Sequence, residues 1–144
     1  MALNVVIPQC ESAVGQAIVP ATAYTASDTA GPWPVDYFSS AEIHVAVTTC
    51  SGTLNVYVQK LLPDGSTYDD VASFSQYTTA VYTTTGSKVL SFVNGGNTLN
   101  TQTSAALTAN TVQTVHFGNY WRVNWVLAGT GATATFGVYG SFKK

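Results

Sequence analysis

His44 and His116 are the only two histidines in the 144 residues, and they limit what nucleophilic chemistry the chain can support. A serine or cysteine nucleophile needs a base beside it, an acid to orient that base, and donors for a developing oxyanion. His44 falls on the outward face of an alternating segment, and His116 lies near the end of another. No Gly-x-Ser-x-Gly elbow and no cysteine motif links them, so they read as two partly exposed strand histidines and no enzyme is expected.

Asp64, Asp69 and Asp70 form the densest acidic cluster. Paired carboxylates serve glycoside hydrolysis or hold calcium. Asp64, however, belongs to the turn Pro63-Asp64-Gly65-Ser66, and the adjacent Asp69 and Asp70 must point to opposite faces of any strand that carries them. No metal site is expected. Gly129-Thr130-Gly131-Ala132 lacks the lysine and the following helix of a phosphate loop, and reads as a hairpin turn. No cofactor is expected.

Trp33, Trp121 and Trp125, with eight tyrosines, could stack on sugar rings or nucleobases. Trp121 and Trp125 alternate with Val123 and Leu127, which is the pattern of a sandwich core. Trp33 sits between Pro32 and Pro34 and is the better candidate for a contact outside the domain.

The elements that would position these residues are strands. Period-two alternation rich in Val, Thr, Tyr and Phe recurs, broken about every ten residues by Gly, Asn or Pro. Ile43, Val45 and Val47 alternate with Glu42, His44 and Ala46. After a turn at Ser51-Gly52, Leu54, Val56 and Val58 face inward while Asn55, Tyr57 and Gln59 face out. Residues 53–77 read as a hairpin about the Pro63–Ser66 turn. Residues 80–93 hold one or two strands, Asn94-Gly95-Gly96-Asn97 turns, and residues 98–110 form a polar loop whose Ser104–Ala109 stretch could make one helical turn. Thr111–Phe117, Tyr120–Leu127 and Ala132–Phe142 complete the set.

The expected fold is all-β: an antiparallel two-sheet sandwich, a jelly roll of about eight strands, with an extended N-terminal arm. The arm is residues 1–36, where Pro8, Pro20, Pro32 and Pro34 interrupt Ala- and Thr-rich stretches that could supply at most one or two edge strands; the sandwich is residues 37–144. The arm packs on its own domain or reaches a neighbour.

Charged residues make up only 8% of the chain, about a third of the roughly 25% usual for globular proteins. Serine and threonine replace them, giving a neutral, hydroxyl-rich surface that does not oppose association by charge. Lys60, Lys88, Arg122, Lys143 and Lys144 are scattered, which argues against nucleic acid. No apolar run approaches the roughly 20 residues of a membrane span, and Met1–Pro8 lacks the basic and apolar regions of a secretory leader. Neither a membrane partner nor a leader is expected. Cys10 and Cys50 could pair, but without a leader reduced thiols in a cytoplasm are favoured.

Two segments carry a resemblance. Residues 57–76, centred on Leu62-Pro63-Asp64-Gly65-Ser66-Thr67-Tyr68, resemble a hairpin of small tailed-bacteriophage structural proteins, with Tyr68 where the family pattern often has Trp. Residues 122–138, opening Arg122-Val123-Asn124-Trp125 and containing Gly129-Thr130-Gly131, resemble their penultimate hairpin. The chain is similar here to capsid decoration (cement) proteins, jelly-roll-like components of the virion. The resemblance covers about a third of the chain and rests on turn and core positions.

It implies a structural protein made in the host cytoplasm and seated on the capsid exterior, a homotrimer bridging subunits of the major capsid protein. On that reading Trp33, Tyr37 and Phe38 are candidates for subunit or shell contacts, and the hairpin Lys60–Tyr68, with Asp64 at its tip, for an exposed rim. A carbohydrate-binding, lectin-like module and a phage tail or fibre knob are the alternatives, because one sandwich fold serves all of them.

Overall fold

The computed structural model describes residues 12–79, 87–94, 107–113 and 116–144, with side chains from Ala17 onward. These residues form eight strands: β1 (Ser12–Tyr24), β2 (Asp28–Pro34), β3 (Ser40–Leu61), β4 (Tyr68–Ser73), β5 (Tyr77–Thr78), β6 (Ser87–Val93), β7 (Thr111–Val112) and β8 (Tyr120–Lys143). All pair antiparallel in an open, sandwich-like sheet consistent with a jelly-roll topology.

Two strands organise the molecule. At 22 and 24 residues, β3 and β8 are several times longer than an ordinary strand of about 5–6 residues, and they pair along nearly their whole length. A ribbon of that length bends, and its two arms belong to two layers. In the first layer the order is β1, the C-terminal arm of β8, the N-terminal arm of β3, then β6. In the second it is β2, the N-terminal arm of β8, the C-terminal arm of β3, then β4 and β5, with β7 beyond β4.

The bend corrects two expectations. Ser51-Gly52 and Gly129-Thr130-Gly131 are not turns between paired strands. They are points where β3 and β8 cross together from one layer to the other. The register runs from Ser51↔Thr133 to Thr53↔Ala128, so Gly52 alone spans what Gly129, Thr130, Gly131 and Ala132 span on β8. Gly52 has φ +81°, and a Cβ there would stand 2.6 Å from the Ala128 carbonyl oxygen. Only glycine fits the inside of this corner.

The layers meet through aromatic rings. Trp125 of the second layer packs edge-on to Phe136 of the first at 5.7 Å between centroids, Trp33 to Phe142 at 6.4 Å, and Trp121 against Phe92 at 5.2 Å. Ile43, Val45, Leu54, Val56, Val58, Val123 and Val138 fill the space between them with no exposed surface. The alternation in residues 41–58 and 121–138 therefore identified the inward faces correctly. Trp121 and Trp125 are core residues, as their spacing requires.

Residues 12–34 supply strands β1 and β2, both hydrogen-bonded to β8, and Ile18, Val19, Ala30 and Trp33 enter the common core. This part of the N-terminal segment extends the sheet. The strand expected over Thr111–Phe117 is shorter, covering Thr111–Val112 among the described residues. The readings for residues 80–86, 95–106 and Cys10 fall outside the described residues.

Candidate functional site

Three of the six residues picked as contacts are corrected by their burial. Trp33 has no exposed surface and Phe38 has 2%. Phe38 packs on Phe142 with ring centroids 5.1 Å apart. The prolines beside Trp33 do not push its indole outward, because β2 is a paired strand and a register shift between Ala30 and Trp33 turns Trp33 inward opposite Trp121. Lys60 is 9% exposed. It follows the inward parity of Val56 and Val58, and its Nζ donates to the His116 carbonyl at 3.0 Å. Burial lowers its pKa, while nearby Asp69 acts in the opposite sense.

The other three stay at the surface. Tyr37 is 43% exposed, Asp64 is exposed, and Tyr68 is half-buried. Asp64 organises the β3–β4 turn. Its Oδ1 accepts from the Ser66 and Thr67 amides at 2.9 and 2.8 Å, and its Oδ2 accepts from the Thr67 hydroxyl. These donors favour the carboxylate and hold its pKa at about 2. The turn is closed by Gly65 N–H to Leu62 O at 3.0 Å and Leu62 N–H to Thr67 O at 2.8 Å. The expected Pro63–Ser66 turn is therefore present, and Asp64 serves it.

The histidines are far apart in role. His44 Nε2 lies 3.1 Å from the Ser87 hydroxyl, with its ring beside Tyr139. His116 Nδ1 accepts from the Gly118 amide at 2.9 Å. Among the described residues no group of three His, Cys, Asp or Glu side chains gathers as metal ligands. Cys50 is buried and free, and burial raises its thiol pKa.

Two outer surfaces stand out. The first is the β6 side of the first layer. Among the described residues β6 pairs only with β3, and Val89 and Val93 are 54% and 67% exposed. Lys88, the only charge on β6, does not guard this edge. Its Nζ turns to the carbonyl and hydroxyl of Ser75 and lies 4.0 Å over the Tyr77 ring. Beside Val93 a groove of about 490 Å³ opens between Glu42, Ser91, Ser141 and Lys143.

The second is the outer face of the second layer. Arg122 of β8, Gln59 of β3 and Asp70 of β4 stand opposite one another across three strands. Arg122 Nε donates to Gln59 Oε1 at 2.8 Å, and Gln59 Nε2 donates to Asp70 Oδ1 at 2.8 Å. Tyr68 lies beneath the guanidinium, its ring centroid 3.8 Å from Cζ. Tyr57 and Asn124 form the next row.

Sequence alternation placed Tyr57 and Gln59 on an outward face, and by putting Trp121, Val123 and Trp125 inward it leaves Arg122 and Asn124 facing out. It did not show that these are one surface, because the β3–β8 register is set by contacts between residues far apart in the chain. No protein-family model, no curated protein and no solved structure matches the chain.

Proposed function

We propose that this chain is a non-catalytic virion structural protein: a homotrimer that decorates the outside of a bacteriophage capsid and stabilises it by bridging major capsid protein subunits. The observation that carries this reading is the edge of β6, which among the described residues pairs with β3 alone. Sheet edges of free-standing proteins are normally blunted by charge, proline or a cover, since unpaired N–H and C=O groups recruit other strands. Here the one lysine is folded back on Ser75 and Tyr77, and two valines face solvent. Such an edge suits a subunit that works in contact with other chains.

The mechanism is adhesive. A ligand that binds only the assembled shell stabilises that shell by mass action, and multivalent seating lets modest contacts add. A chain with only 8% charged residues favours apolar and hydroxyl contacts over ion pairs. The test is co-sedimentation with DNA-emptied heads. Wild-type protein is expected to pellet with heads, and a Val89→Lys/Val93→Lys variant to stay in the supernatant; failure of the wild type to pellet contradicts the reading.

A carbohydrate-binding module is the second reading, favoured by the tyrosines and amides of the β3–β8 outer face. It predicts retention on a glycan matrix, lost on Tyr57→Ala.

A further inference from the structure

We infer that the outer face of the second layer is a carboxylate-binding site, in which the terminal amino groups of Arg122 receive an aspartate or glutamate side chain of a protein partner. The inference rests on the reading that the chain works by binding other proteins, and names one contact by which it does so.

An arginine on a sheet surface ordinarily samples many rotamers, and ordering it costs side-chain entropy. Arg122 is held from two directions. Tyr68 supports the flat face of the guanidinium at 3.8 Å, and Gln59 takes the Nε proton at 2.8 Å. Gln59 is fixed in turn, because Nε2 must face Asp70 Oδ1 for Oε1 to face Arg122. Asp70 is anchored as well: Oδ2 accepts from the Leu107 amide at 3.4 Å, and its carbonyl from Gln113 Nε2 at 2.7 Å. The chain of bonds ends at Arg122. Of its five N–H donors, the four on the terminal nitrogens have no hydrogen-bond partner among the described residues.

The ligand class follows from shape and charge. Two coplanar amino groups match a planar carboxylate bidentately. Asp70 lies on the same face, and its negative charge penalises a dianion such as phosphate more than a single carboxylate. A polypeptide source is favoured over an acidic sugar because the Tyr68 ring face that a pyranose would stack on is covered by the guanidinium. Arginine beside tyrosine is also the composition that dominates protein-interface hot spots.

Arg122 is the only arginine in the chain, so its Nε–Hε group gives a single signal in a nitrogen–proton correlation spectrum. Titration with glutamate blocked as its N-acetyl methylamide should move that signal saturably in the millimolar range, while the blocked glutamine leaves it unmoved. Arg122→Lys, followed through the backbone amides of Gln59 and Tyr68, should weaken binding about tenfold, since lysine keeps the charge and loses the fork. Gln59→Leu should weaken it severalfold in a protein whose amide spectrum is otherwise unchanged. Saturable binding of glucuronate without binding of blocked glutamate overturns the inference in favour of an acidic glycan. No response to either ligand overturns the site itself; co-sedimentation of the wild-type protein with heads then separates that failure from failure of the assembly reading.

Discussion

The ammonium of Lys88 lies 4.0 Å above the ring of Tyr77, and this contact strips β6 of its only charge. Tyr77 is fully buried under β3, and its hydroxyl faces the Val45 carbonyl at 3.4 Å. The lysine that could have repelled a neighbouring strand instead closes the sandwich over its own core. Edge protection has been exchanged for internal packing, which makes sense where another chain covers the edge.

Trp33 should behave as a core residue. Trp33→Ala is expected to cost about 3–5 kcal/mol, read by chemical denaturation. The milder Trp→Phe change separates the indoles. Trp121 Nε1 donates to the Phe117 carbonyl at 2.8 Å, whereas Trp33 Nε1 is buried without a hydrogen-bond partner among the described residues. Trp121→Phe should therefore cost about 1–3 kcal/mol more than Trp33→Phe, because it strands a buried carbonyl. Equal costs would mean that the Trp121 bond adds nothing.

The corner of the β3–β8 ribbon predicts unequal glycines. Gly131 has φ +63° and open space where a Cβ would go, so Gly131→Ala should cost only the left-handed backbone penalty, about 1 kcal/mol. Gly52→Ala adds a collision with the Ala128 carbonyl and should cost about 1–3 kcal/mol beyond that. Urea unfolding of both variants measures the difference, and similar midpoints would contradict the account of the bend.

Asp64 predicts an acid-dependent turn. Its folded pKa of about 2 lies below the ordinary 3.8, so between these values the unfolded chain binds more protons than the native one. The stability it contributes is present above about pH 4 and is lost as pH falls through about 2. The gap in Tm between wild type and Asp64→Ala should be full at pH 7 and should have shrunk to a small fraction of that by pH 2. A gap as large at pH 2 as at pH 7 would show that the carboxylate is not what supports the turn.

The inward faces of β3 and β8 were legible because residues of one strand share a face by parity alone. Ile43, Val45 and Val47 needed no knowledge of their partners, nor did Trp121, Val123 and Trp125. Trp33 was misread because flanking prolines are a local signal, while pairing of β2 with β8 is a long-range fact that overrides it. The same limit hid the bend: Gly129-Thr130-Gly131 is chemically a turn sequence, and only pairing of both β8 arms with β3 shows that the strand continues. Lys60 was placed at the rim as one end of the Lys60–Tyr68 hairpin, yet parity puts it inside, where the His116 carbonyl accepts from its Nζ. The Arg122–Gln59–Asp70 row required two long-range registers at once, β3 with β8 and β3 with β4.

The most direct test of the central claim is the mass of the protein in solution, by size exclusion with light scattering, for wild type and for Val89→Lys/Val93→Lys. The substitutions lie on exposed positions and should change stability by no more than about 0.5 kcal/mol. The account predicts a wild-type trimer at three times the 15.1 kDa chain mass, and a folded variant at the monomer mass. A wild-type monomer across a wide concentration range, or a trimer indifferent to both lysines, would contradict it.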